Sequence, residues 1–154
     1  MLQVIQQAGG QQVKLLSFAQ GVVSLEAFLS MRSDLLHCIQ EAGVNIVLPV
    51  SQADSQSAFF ITNQGITTGC YHKNMNDFFV VDMPDVGKVC TLLAEEAWVL
   101  LARYTYFTQN CQFLVVPAAL TGPVWSAKMK SIGREGRVSR LSPTYIQCSM
   151  WELC

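Results

Sequence analysis

The sequence predicts an α+β fold in which two long helices pack on one face of a mostly antiparallel sheet. Two observations lead there. Long stretches carry apolar residues at helical spacing, and short β-branched or aromatic runs lie between turn-forming residues. A third is the order strand, helix, Asn-containing turn and apolar strand ending in proline, which occurs twice, with Pro49 and Pro117 closing the two strands. Two βαβ-like units would then flank a hairpin, and a ferredoxin-like arrangement is the nearest simple topology.

Gln11 to Phe18 reads as the first strand. Ser24 suits a helix N-cap, because its hydroxyl can accept from a free amide of the first turn. Leu25, Phe28, Leu29, Leu35, Leu36 and Ile39 follow as one helical stripe. Gly43 ends that helix, since glycine enters the left-handed conformation without a side-chain clash. Val44 to Val50 is a buried strand. Ser57 to Asn63 and Ile66 to Tyr71 form a hairpin across Asn63-Gln64-Gly65. Asp77 to Asp82 is a further strand, broken at Met83-Pro84-Asp85.

A second helix is expected from that break to about Tyr106, with Val86, Val89, Cys90, Leu93, Ala97, Leu100, Leu101 and Tyr104 as its stripe. Cys111 to Val116 is the last strand. Residues 118–154 form a less regular, basic segment of what reads as one domain of 154 residues. The expected core includes Phe28, Leu36, Ile46, Phe60, Val80, Leu93, Leu100 and Leu114.

Composition bears on partners. Half the chain is hydrophobic and 14% is charged, against roughly 25% in ordinary domains. The C-terminal half of the second helix is apolar nearly all round and would be covered by the segment from 118 onward or by a second subunit. With so little polar cover overall, a homo-oligomer is expected, a homodimer on general grounds. The longest apolar run, residues 97–102, is far short of the about 20 needed to span a membrane. Residues 1–10 carry no basic residue and no long apolar stretch, so no secretory signal is read there. The expected location is the cytoplasm.

The six cysteines are Cys38, Cys70, Cys90, Cys111, Cys148 and Cys154, with no Cys-x-x-Cys among them. Most fall on apolar faces, where a reduced thiol serves as a small core residue. Cys70 and His72 share one face of a strand. A thiol beside an imidazole is a nucleophile–base pair in outline, but no third group orients the base. Adjacent His37 and Cys38 diverge on a helix and make a poor metal pair. Glu95 and Glu96 are neighbours on the second helix and likewise diverge. Nucleophile-elbow, zinc-protease, phosphate-loop and dinucleotide motifs are absent from the sequence. Neither a metal nor a cofactor is expected.

Residues 128–154 hold five basic residues against two acids, and residues 1–127 hold five against nine. Arg134, Arg137 and Arg140, with the flanking glycines, could bind an anion. The field of a chain of net charge −1 is weak for a polyanion, so nucleic acid is not expected. Tyr71, His72, Trp98 and Trp125, with Met75 and Phe78, would suit the wall of an apolar ligand pocket. The leading expectation is a non-catalytic binding or interaction protein for a small molecule or protein partner. The alternatives are a small enzyme with a cleft near Cys70 and His72, and an anion or nucleic-acid binder through Arg134 to Arg140.

Overall fold

The computed structural model describes residues 1–73, 78–120 and 122–141, with Arg140 and Leu141 by backbone alone. It is an αββα sandwich, with two four-stranded sheets face to face and helices outside each. The expected ferredoxin-like arrangement, one sheet with two helices on one face, is therefore incorrect.

The first half begins with a helix that the sequence reading missed, α1 (Leu2–Gly10), followed by β1 (Leu15–Ser17). Ser24 does cap α2 (Leu25–Ser30), its Oγ accepting from the Ala27 amide at 3.1 Å. The expected single helix breaks at Met31, and α3 (Arg32–Ala42) carries on to Gly43, which caps it at φ 66°. β2 (Asn45–Gln52), β3 (Ser55–Ile61) and β4 (Thr67–His72) form the predicted hairpin and its neighbour. Pro49 does not close its strand but lies within it, opposite Ala58.

The sheet order is β1-β2-β3-β4, parallel at β1–β2 and antiparallel elsewhere. Strand alternation divides its residues between two faces. Ile46, Leu48, Val50 and Ile61 meet Ile5, Phe28, Leu35 and Ile39 of the helices. Val47, Ala58, Phe60 and Tyr71 face the second sheet. Helices α1 and α3 cross so closely at Gly9 that a Cβ there would lie 2.6 Å from the Ala42 carbonyl oxygen.

The second half departs most from expectation. β5 (Val81–Met83) overlaps the end of the predicted strand Asp77 to Asp82, but where a long helix was predicted the chain forms a tight turn, β6 (Gly87–Thr91), a 3₁₀ turn (Ala94–Trp98) and only then α4 (Leu100–Thr108). Asp85 at φ 60° and Gly87 at φ 108° shape the turn, with the Val86 amide bonded to the Met83 carbonyl. The apolar run from Val89 to Ala94 fits a buried strand as well as a helix face, and β-branched Val89 and Thr91 favour the strand.

Next come β7 (Phe113–Val115), α5 (Pro123–Gly136) and β8 (Ser139–Leu141). The supposedly irregular basic segment thus contains a 14-residue helix with Pro at its start. Trp125, Met129 and Ile132 are its buried stripe. In the sheet order β5-β6-β7-β8, the last three strands are parallel, and their carboxyl ends lie side by side.

Of the predicted core, Phe28, Ile46, Phe60, Leu93 and Leu114 are buried. Leu36 and Val80 are partly buried. Leu100 is 57% exposed and was misassigned. Cys90 and Cys111, expected as free thiols, are joined as a disulfide, with Cα atoms 6.3 Å apart on neighbouring segments. No described helix is long and apolar enough to cross a membrane.

Candidate active site at the strand-to-helix elbow

Ligands of open α/β sheets bind outside the carboxyl ends of the parallel strands. Here β6 ends at that edge in a sharp elbow. Leu93 is extended, Ala94 takes φ 50°, and the 3₁₀ turn starts at once. A positive φ is uncommon for a residue with a Cβ. The Ala94 amide donates to the Pro117 carbonyl at 3.0 Å, tying the elbow to the segment after β7.

The two acids that follow have separate roles. Glu96 turns inward, where its Oε2 accepts from the Leu93 amide at 3.0 Å and from the Tyr71 hydroxyl at 3.1 Å. It therefore locks the elbow to β4. Burial, with the Glu96 carboxylate adding, raises the Tyr71 phenol well above its usual range, so the phenol remains a donor. Glu95 turns outward, and its Oε1 receives Lys73 Nζ at 2.5 Å. The Lys73 side chain is 16% exposed and that of Glu95 66%. The hydrogen bond from Lys73 holds the Glu95 carboxyl below its ordinary range. An ammonium and a carboxylate are thus held against each other beside a strained turn, an arrangement suited to acid–base work on a polar bond.

The sequence candidates scatter. Tyr71 is buried at this site, while His72 points to the other face of β4, where its Nδ1 lies 2.8 Å from Ser57 Oγ. Cys70 shares that face; burial raises its thiol, partly offset by a hydrogen bond with Ser57. Trp98 is 51% exposed at the end of the 3₁₀ turn, and Trp125 is buried on the inner side of α5. These residues do not share one pocket.

Arg134 and Arg137 lie on and at the end of α5 instead of in a glycine-rich loop. Arg134 lines a shallow hollow with Lys130 and Glu135. Arg140 belongs to β8, paired with Leu114. Met75, Cys148 and Cys154 lie outside the described residues. Among the described residues no cluster of His, Cys, Asp or Glu is placed to hold a metal.

Sequence reasoning missed Lys73, Glu95 and Glu96 as a group, because it placed both acids on a helix. The available signal was their position directly after the apolar run Val89–Ala94, with Lys73 two residues beyond Tyr71 on the same strand face.

The sequence matches no family model, and no curated protein is similar to it. Solved structures do match. A glutamate-to-glutamine mutant of the amidase from Nesterenkonia sp. AN1, with acrylamide added to its active-site cysteine, superposes with a TM-score of 0.78 at 16% identity, covering 93% of this chain and 69% of that one. The same amidase carrying the acetamide moiety of fluoroacetamide on its active-site cysteine gives 0.78 at 16%, over 93% and 67%. A cysteine-to-alanine mutant in complex with butyramide gives the same values. A further structure of this amidase is described as of the nitrilase superfamily.

The chain has the fold of these amidases. That likeness overturns the expectation of a non-catalytic binding or interaction protein, because its frame is one on which amidases are built. The alternative of a small enzyme is the better supported of the earlier readings. The elbow itself lies on the face of β4 away from Cys70 and His72.

Proposed function

We propose that this chain is an amidase-type enzyme that hydrolyses the C–N bond of a small carboxamide at the elbow after β6. The observation that carries the reading is the Lys73–Glu95 pair, set beside the Ala94 turn at the carboxyl edge of parallel strands, on a fold used by amidases. Lys73 supplies positive charge where a carbonyl oxygen becomes an oxyanion. Glu95 supplies an acceptor for a proton. Tyr71 and Glu96 hold the turn in shape.

Ammonia release from butyramide, acetamide and acrylamide by purified protein tests this, with Lys73→Met as the comparison. Release by the wild type that drops at least a hundredfold in the variant is the expected result. A folded wild-type protein that releases no ammonia from any of them would sink the reading.

Two further readings accompany it. Trp98, Val99, Leu100, Leu101 and Tyr104 are all more than half exposed. A second copy of the chain covering this face would make a homo-oligomer, and light scattering that returns 17.0 kDa at micromolar concentration would exclude it. The cytoplasm remains the proposed location, and cell fractionation checks it.

A further inference from the structure

We infer that Ala94 stands where a nucleophile would sit on this elbow, and that the amide carbonyl is attacked by water instead of a thiol. The inference rests on the hydrolase reading above and concerns how that same site works. A sharp strand-to-helix turn with strained backbone is a recurrent way of presenting a nucleophilic side chain at the top of a sheet. Ala94 meets the backbone requirement, with φ 50° after two further residues beyond β6, Leu92 and the extended Leu93, where the 3₁₀ turn begins. Its methyl group has no lone pair and no proton to give up. The strain is therefore kept while the chemical group is missing.

Free thiols elsewhere among the described residues do not substitute. Cys90 and Cys111 are bonded to each other. Cys38 is buried between the helices and the outer face of the first sheet, its thiol directed at the Leu2 carbonyl. Cys70 lies on the opposite face of β4 from Tyr71, and burial disfavours its thiolate.

The step that remains is direct hydration. A water oxygen forms a bond to the carbonyl carbon while one of its protons passes to the Glu95 carboxylate. The carbonyl oxygen takes the electron pair as an oxyanion facing the Lys73 ammonium. The proton on Glu95 then moves to the amide nitrogen, the C–N bond breaks, and ammonia and a carboxylic acid leave. Water and amide are consumed one for one, with no oxidant and no covalent enzyme intermediate.

The test combines thiol blocking with one substitution. Wild-type protein is treated natively with iodoacetamide, cleared of reagent, mapped by mass spectrometry and assayed for ammonia release from butyramide. Hydrolysis unchanged by blocking, and unchanged in Cys70→Ser, is expected. In parallel, Ala94→Cys is exposed to acrylamide. The new thiol, close to the Lys73 ammonium, should form a one-to-one adduct at least tenfold faster than Cys70 does. Hydrolysis abolished by blocking, with the label on a native cysteine (Cys148 and Cys154 included), overturns the water step and leaves the hydrolase reading standing. Rapid capture by Ala94→Cys with no wild-type hydrolysis does the reverse, sinking the hydrolase reading and its water step while upholding the place of Ala94. Because the blocking arm uses wild-type protein, it decides the matter even if Ala94→Cys does not fold.

Discussion

Arg103 of α4 holds both carboxylate oxygens of Glu135 on α5, with contacts of 3.0 to 3.3 Å from its Nε and Nη2 atoms. Its Nη1 donates to the Ala97 carbonyl in the 3₁₀ turn at 2.8 Å. One buried guanidinium thus joins two outer helices to the segment that follows the elbow. Arg103 is 4% exposed, so its charge has little access to water and depends on these partners.

Removing one partner of such a pair costs more than the pair contributes, because the other charge is left buried. Glu135→Ala should therefore destabilise the protein by about 3 kcal/mol, somewhat less than for a fully buried pair because Glu135 is 35% exposed. Arg103→Met, which leaves Glu135 free to turn toward solvent, should cost less. Denaturant unfolding of both variants checks the order, and equal losses would contradict it.

Leu93 and Leu100 provide a second contrast. Both lie on one predicted helical stripe, yet Leu93 is fully buried just before the 3₁₀ turn and Leu100 is 57% exposed at the start of α4. Leu93→Ala should cost about 2–5 kcal/mol. Leu100→Ala should stay within about 0.5 kcal/mol at concentrations where the chain is monomeric. Chemical denaturation of the two variants side by side separates the strand-and-turn structure from the single long helix.

What could be read from the sequence was local chemistry. The Ser24 cap, the Gly43 stop and the Gly65 hairpin follow from one or two residues and their neighbours. The stacking of two sheets could not be read that way. It depends on Phe60 and Tyr71 meeting Val81 and Met83 across the sandwich, and no periodicity along the chain records that meeting. Buried apolar runs such as Val89–Ala94 lack polar alternation, so helix and strand look alike there. The site was lost with that misassignment. On a helix, Glu95 and Glu96 merely diverge, whereas on a turn after a strand one reaches Tyr71 and the other Lys73.

The Cys90–Cys111 bond links β6, near its carboxyl end, to the segment just before β7, closing a segment with a sequence separation of 21. In the chain-entropy account, a loop of this size contributes roughly 3 kcal/mol by restricting the unfolded state. Mass spectrometry after alkylation of unreduced protein should show these two cysteines unmodified. Cys90→Ala/Cys111→Ala should lower the midpoint of thermal unfolding, and a reductant should lower it only in the wild type. Full alkylation of both without reduction would contradict the bond.

The last prediction concerns the pH dependence of the elbow. Lys73 holds the Glu95 carboxyl below its ordinary value of about 4.5, chiefly through their hydrogen bond. A group depressed in the folded state is ionised above its unfolded pKa and stays so until the pH falls through the lower folded value. If ionised Glu95 is the proton acceptor, the acid limb of the ammonia-release profile falls below about pH 4.5. Lys73→Met removes the donor and the positive charge. A backbone hydrogen bond, which acts downward, and burial, which acts upward, then remain; with the largest lowering cause gone, the limb of the residual activity should move to higher pH. Glu95→Gln should abolish the limb along with most of the activity. Because the Glu95 side chain is 66% exposed, solvent screens the pair, and neither substitution should change global stability much. Rate measurements from pH 3 to 9, with unfolding monitored at each pH, test this. A limb that stays in place in Lys73→Met would remove Glu95 from the proton-transfer step.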